Sequence, residues 1–137
     1  TDNPLQKYDT LRQWRGWGFE MNNHTVNHQY LPRTSDDLLD YQIGEAARRI
    51  NTGIGVPPVA LILPFGSLTD TSGAADQRIF DVAKKHDIAF VIGIIGGRSL
   101  PEDAAFPLYL GRANTEGLFK TAVFNIEHWG DLEAACQ

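Results

Sequence analysis

The stretch Val59-Ala60-Leu61-Ile62-Leu63-Pro64-Phe65-Gly66 decides the fold class. Five successive apolar residues without polar alternation predict a strand buried on both faces, and Pro64-Phe65-Gly66 ends it. Downstream, Ala75–His86 has the pattern of an amphipathic helix, with Ile79, Phe80, Val82 and Ala83 apolar, and Ile88–Ile95 is a second buried strand ended by Gly96-Gly97. Upstream, Thr34 and Ser35 offer caps and Asp36 and Asp37 complement the dipole of a helix that carries Leu38, Leu39, Gln42, Ile43, Ala46 and Ile50, with Gly53 as its stop. Leu5–Trp17 holds an earlier helix, with Leu5, Tyr8, Leu11 and Trp14 on one face, broken by Gly16 and Gly18. Phe19–His28 is polar and histidine-rich, as suits a loop or the top of a strand. Arg98–Arg112, with Pro101 and Pro107, reads as loop, and a last amphipathic helix is expected within Glu116–Ala135. Helices alternating with buried strands specify an α/β fold with parallel strands. Ligands in such folds gather at the C-terminal ends of strands, here the neighbourhoods of His24, Pro64–Ser67 and Gly96–Ser99.

With 137 residues the chain makes one domain, and 42% hydrophobic and 21% charged residues exclude a disordered or collagen-like class. No run reaches the roughly 20 apolar residues of a membrane span. A net charge of -5 argues against a broad basic surface for nucleic acid, and Arg48-Arg49 and Lys84-Lys85 read as solvated helix faces. Cys136 stands alone, so neither an internal disulfide nor a cysteine-based zinc site is expected. The opening Thr1-Asp2-Asn3-Pro4, without an initiator Met, reads as a processing or cleavage boundary.

The sharpest local feature is Asn23-His24-Thr25-Val26-Asn27-His28. Histidines at i and i+4 project from one face of a helical turn and reach a single ion, which suits zinc, usually with a third protein ligand and a water. The alternative is a loop in which both imidazoles merely hydrogen-bond to neighbours. Thr25 stands where the zinc-protease pattern His-Glu-x-x-His has its Glu, so that class is excluded.

Gly18-Phe19-Glu20-Met21-Asn22-Asn23-His24-Thr25-Val26-Asn27-His28 resembles the metal-binding motif of the polysaccharide deacetylases, carbohydrate esterase family 4, whose core is the NodB-homology domain. Leu61-Ile62-Leu63-Pro64-Phe65-Gly66 is similar to the family's next motif, a strand ending Pro-Tyr/Phe-Gly. Asp81–Val91 is similar to the following short helix and strand. The resemblance implies a distorted (β/α) barrel, of which residues 1–137 are an incomplete C-terminal portion forming one partial domain. It also implies metal-dependent removal of acetyl groups from an N-acetylated glycan such as chitin, peptidoglycan or poly-N-acetylglucosamine. His24 and His28 would be metal ligands for zinc or another divalent ion, activating a water against the acetamide carbonyl. Thr25 would brace the ligand loop. Phe65 matches the aromatic whose backbone N–H helps hold the oxyanion, with Pro64 and Gly66 shaping that wall. Arg112 resembles an arginine bordering the groove, with a surface ion pair as its other reading. His128, in Ile126-Glu127-His128, is the only counterpart of the family's late catalytic acid; an exposed helix histidine is the other reading.

The family's Thr-Phe-Asp-Asp motif, which supplies the general base and a third ligand, has no counterpart: only 23 residues precede His24, and Asp2 and Asp9 lack strand context. The expectation is therefore a chain without the N-terminal part of the domain, inactive alone, and partnered by a complementary segment or by its own copies through unpaired strand edges. Ile62 stands where many members place an arginine. A second reading, a non-catalytic glycan-binding or scaffold module, follows from these departures. The family's usual substrates imply a secreted or envelope-associated protein. Trp14, Trp17 and Trp129 are candidates for sugar stacking, with core burial expected for at least two, and His86 is expected to interact with its helix dipole.

Overall fold

The computed structural model describes residues 7–69, 75–94 and 107–111. Its elements are helix α1 (Tyr8–Gly16), a 3-10 turn (Leu31–Arg33), helix α2 (Asp36–Ile54), strand β1 (Ala60–Ile62), a second 3-10 turn (Pro64–Gly66), helix α3 (Gln77–Lys85) and strands β2 (Phe90–Gly93) and β3 (Leu108–Gly111). The strands form one parallel sheet in the order β1-β2-β3. Leu61, Val91 and Tyr109 stand in register across it. Asn23 extends the ladder on the other side of β1 as a single parallel bridge to Leu61. The α/β class and the parallel sheet follow the sequence expectation.

The core lies between the sheet and the helices. Leu61 and Val91 point into a buried cluster with Leu39 and Ile43 of α2, Ile79 and Ala83 of α3, and Leu31, Leu63, Leu68 and Ile88, with Tyr109 packed against it. On the opposite sheet face, Ile62, Phe90, Ile92 and Leu108 are only half-buried and Leu110 is exposed. The expected burial of the strands on both faces thus holds fully for the helix side alone among the described residues.

Helix ends explain where the elements stop. Ser35 caps α2 by accepting from the Leu38 amide at 3.4 Å. That helix runs past Gly53 and ends at Gly55, which takes the left-handed conformation (φ 84°) and bonds back to Asn51. Gly55 is therefore the stop in place of Gly53, which is buried inside the helix against the Tyr8 ring. Leu38 is exposed, so the apolar stripe of α2 begins at Leu39. Asp76 caps α3, and Arg78 binds Asp76 at 2.7 Å, Asp36 at 2.8 Å and the Thr34 carbonyl at 3.1 Å, clamping the starts of α2 and α3 together. Asp76 and then Asp36 raise the Arg78 pKa further above its usual range. His86 closes α3 and reaches Asp40 of α2 at 2.8 Å, a partner across helices beyond its own helix end.

The segment read as loop, Arg98–Arg112, contains β3 at Leu108–Gly111. Pro107 masked that strand in the sequence, although a proline just before the first residue of a strand costs no ladder bond. The expected helix within Glu116–Ala135 lies outside the described residues.

Leu61 is fully buried, so Leu61→Ala should cost about 2–5 kcal/mol of unfolding free energy, read by urea denaturation. Glu45 accepts from Arg48 and Arg49 at 2.7–2.8 Å. Arg48 and then Arg49 lower its carboxyl from 4.5 to about 2. The lowered value stabilises the fold above pH 4.5 and the benefit is lost as pH falls toward 2. Glu45→Gln should therefore lower the denaturation midpoint slightly at pH 7 and leave it unchanged near pH 2.

Candidate functional site

Three backbone segments end side by side at the C-terminal edge of the sheet. His24 follows the bridge residue Asn23, Leu63-Pro64-Phe65 follows β1, and Ile94 follows β2. The order is held by Asn23 N–H donating to Ala60 O (2.9 Å), Ile62 N–H to Asn23 O (2.7 Å), Leu63 N–H to Ile92 O (2.8 Å) and Ile94 N–H to Gly66 O (3.0 Å). The neighbourhoods of His24 and Pro64–Ser67 thus meet, while Gly96–Ser99 lie outside the described residues.

His24 and His28 are exposed, with ring centroids 4.8 Å apart in an edge-to-face arrangement. They converge, but not on a helical turn. Thr25 (φ 67°) and His28 (φ 59°) are left-handed, and the segment between them is an irregular loop. Spacing alone suggested the helix; the structure reaches the same convergence through two positive-φ residues. His24 Nδ1 donates to the Ile62 carbonyl at 2.7 Å, a bond that commits Nδ1 and leaves Nε2 as the ring's other nitrogen for a ligand. Thr25 Oγ1 accepts from the His28 amide at 3.1 Å and so closes the loop beneath the second ring.

Phe65 occupies the middle of the Pro64–Gly66 turn, left-handed (φ 57°) and 61% exposed. Its ring meets that of His28 at 4.6 Å. Pro64 and Gly66 are buried beneath it, and a Cβ on Gly66 would collide with the Ile94 side chain. Gly93 passes so close that an added Cβ would meet the Gly66 carbonyl at 2.9 Å. Ile62 is half-buried. Arg112 and His128 lie outside the described residues, as does Trp129. Trp14 is half-buried and Trp17 is 65% exposed beside Phe19, so neither lies in the core, where burial was expected for at least two of the three tryptophans.

Two residues that sequence reasoning passed over carry the loop. Asn23 is fully buried; its Nδ2 donates to Ile43 O at 2.8 Å and its Oδ1 accepts from the Thr25 amide at 2.8 Å. Gln42 is fully buried in the apolar stripe of α2; its Oε1 accepts from the amides of Val26 (3.1 Å) and Asn27 (3.2 Å), and its Nε2 donates to Asn27 Oδ1. A lone amide within an apolar helix stripe was the available signal, since a buried amide needs partners and those partners are a loop. Among the described residues, no three His, Cys, Asp or Glu side chains gather as a metal site.

The family model for polysaccharide deacetylase matches residues 1–91. The fold is similar to that of the deacetylase PplD from Streptococcus pyogenes, at 16% identity and a TM-score of 0.64 over 77% of this chain and 43% of that one. A polysaccharide deacetylase from Bacillus cereus matches at 18% identity and a TM-score of 0.62, over 77% of this chain and 31% of that one. A family 4 carbohydrate esterase pseudoenzyme from Bacillus anthracis matches at 15% identity and a TM-score of 0.51, over 63% of this chain and 28% of that one. The chain spans less than half the length of each of these structures. At such identities the likeness is one of fold, shared by enzymes and a pseudoenzyme alike. No curated protein sequence matches significantly.

Gln42→Ala strips the acceptor from two loop amides, each unsatisfied group costing about 1–3 kcal/mol if it stays buried. The amides of Val26 and Asn27 should then exchange with deuterium markedly faster, while those of β2 keep their protection.

Proposed function

Because the chain belongs to the polysaccharide deacetylase family, we propose that residues 1–137 are one partial domain supplying the histidine half of a metal-dependent site for hydrolysis of N-acetyl groups on a glycan. The observation that carries this reading is the bond from His24 Nδ1 to the Ile62 carbonyl, with the His28 ring 4.8 Å away. It commits Nδ1 and so leaves Nε2 of an exposed ring as the donor atom beside a second imidazole, a pair suited to zinc or another divalent ion. Such an ion would supply Lewis acidity, making a water acidic enough to attack and polarising the acetamide carbonyl.

The remaining roles belong to the chain itself. His24 and His28 hold the ion, and Thr25 fixes the loop between them through the His28 amide. Phe65 forms the wall against which the acetamide lies, its backbone N–H serving the oxyanion, on the buried base of Pro64 and Gly66. Arg112 borders the groove and His128 supplies the acid. The base and the third ligand come from an Asp-Asp strand outside residues 1–137, carried by a complementary segment. Among the described residues the sheet face opposite α2 and α3 is only half-buried, which favours such a partner. The substrate is an N-acetylated glycan of the chitin, peptidoglycan or poly-N-acetylglucosamine type, and the setting is secreted or envelope-associated. Among the described residues no helix is long and apolar enough to cross a membrane.

A second reading is a non-catalytic glycan-binding or scaffold module. Two imidazoles are one short of the three protein ligands a catalytic zinc ordinarily takes, so the chain by itself fits that role.

Zinc titration of the chain by calorimetry separates the two. The deacetylase reading expects weak binding of one ion, lost in both His24→Ala and His28→Ala, with unfolding midpoints little changed because both rings are exposed. Binding that survives both substitutions, or none at millimolar zinc, would favour the module.

A further inference from the structure

Next to the paired imidazoles, Phe65 stands in a row with two side chains, Tyr30 and Arg33, that have no part in the acetamide chemistry above. The Phe65 ring meets that of His28 at 4.6 Å and lies near that of Tyr30, centroids 6.2 Å apart. Tyr30 is half-buried and its hydroxyl is tied inward. It donates to Thr69 O at 3.1 Å and, having a single proton, accepts from Ser67 Oγ at 2.9 Å. The Arg33 guanidinium lies over the Tyr30 ring, 5.3 Å from its centroid.

Arg33 is exposed, and its backbone is anchored. It ends the Leu31–Arg33 turn, whose Leu31 and Pro32 are buried and whose bonds run from Arg33 N–H to Tyr30 O (3.2 Å) and Thr34 N–H to Leu31 O (3.0 Å). Arg12, Arg48, Arg49 and Arg78 each hold a carboxylate. Arg33 holds none among the described residues, and nothing there accepts from its guanidinium. Arg15 likewise holds no carboxylate among the described residues, so what sets Arg33 apart is the aromatic ring beneath its guanidinium.

We propose that Phe65, Tyr30 and Arg33 form a specificity ledge that selects glycans carrying an anionic group, carboxylate or phosphate, on a sugar beyond the one that reacts. The inference rests on the reading of His24 and His28 as the reacting centre. The exposed Phe65 ring offers a face to the apolar side of a pyranose. The planar guanidinium matches a carboxylate or phosphate in bidentate fashion, which an ammonium does not. Stacking on a ring that is itself fixed holds the guanidinium in place before the ligand arrives, so little side-chain freedom is lost on binding.

The test is calorimetric titration of the whole chain with three N-acetylated tetrasaccharides: neutral chitotetraose, its 6-phosphorylated form, and one alternating N-acetylglucosamine with carboxylate-bearing N-acetylmuramic acid. At least one anionic glycan should bind about tenfold tighter than the neutral one, the scale of an exposed charge-assisted contact. The preference should shrink with added salt. Arg33→Gln should abolish it while leaving neutral binding intact, and Arg33→Lys should restore only part. The two anionic arms tell carboxylate from phosphate. Equal affinities in the wild type, or a preference that persists in Arg33→Gln, would overturn the ledge and leave the deacetylase reading standing. A chain that binds none of the three overturns both.

Discussion

The site depends on one buried side chain, Asn23. Its backbone joins the sheet through Ala60 and Ile62, its Nδ2 is held by the Ile43 carbonyl of α2, and its Oδ1 holds the Thr25 amide. Sheet, helix and histidine loop are thus tied through one amide that is completely withdrawn from water. Every polar atom of that amide is expensive to leave unpaired. The direction of the chain as it leaves the sheet toward His24 is consequently fixed before any ligand is bound.

That fixing lets the loop tolerate unfavourable backbone. Thr25, His28 and Phe65 are non-glycine residues with positive φ, and all three stand in the small region where the two imidazoles and the aromatic wall meet. Such conformations cost of order 1–3 kcal/mol each and persist only where surrounding contacts over-determine them. The contacts here are identifiable: Gln42 holds the amides of Val26 and Asn27, Thr25 Oγ1 holds that of His28, and the Gly66 N–H closes the Phe65 turn onto Leu63 O at 2.9 Å. The first two sets of bonds hold the loop that carries the histidines, and the last holds the turn that carries Phe65. The strain is offset by buried hydrogen bonds, not by packing of the exposed rings themselves.

This division explains what the sequence disclosed. Uninterrupted apolar runs at Val59–Leu63 and Ile88–Ile95 revealed β1 and β2, because burial in a parallel sheet leaves a one-dimensional signature. The histidine pair was legible by its spacing, and so was its convergence. The means of convergence was not, since two left-handed residues are set by side-chain bonds from Asn23 and Gln42, which are distant in sequence from their effect. Gln42 was counted with its apolar neighbours because it shares their face, and its polarity only acquires meaning once the loop is seen above it. Strand β3 was hidden because four residues after a proline, three half-buried and Leu110 exposed, carry too little hydrophobic contrast. Tyr30 and Arg33 had no pattern at all; their relation is a three-dimensional accident of the Leu31–Arg33 turn until the ring of Phe65 is placed beside them.

The topology also constrains where a third ligand must come from under the proposed function. Among the described residues the parallel ladder runs from Asn23 through β1 and β2 to β3, so His24 stands at the end of the sheet's outermost member. Asn23 satisfies both of its ladder groups on the β1 side. The neighbouring residues Glu20–Asn22 run alongside with the Asn22 side chain bonding the amides of Val59 and Ala60. That leaves the other edge of the segment turned away from the sheet. A strand added there in parallel would end beside His24, as β1 ends beside it at Pro64, because parallel neighbours finish at the same edge. Under the proposed function, a carboxylate on the last residue of such a strand would stand beside His24. The two-imidazole pair is thus placed at a strand boundary, where a ligand set shared between two segments is the natural way to complete it.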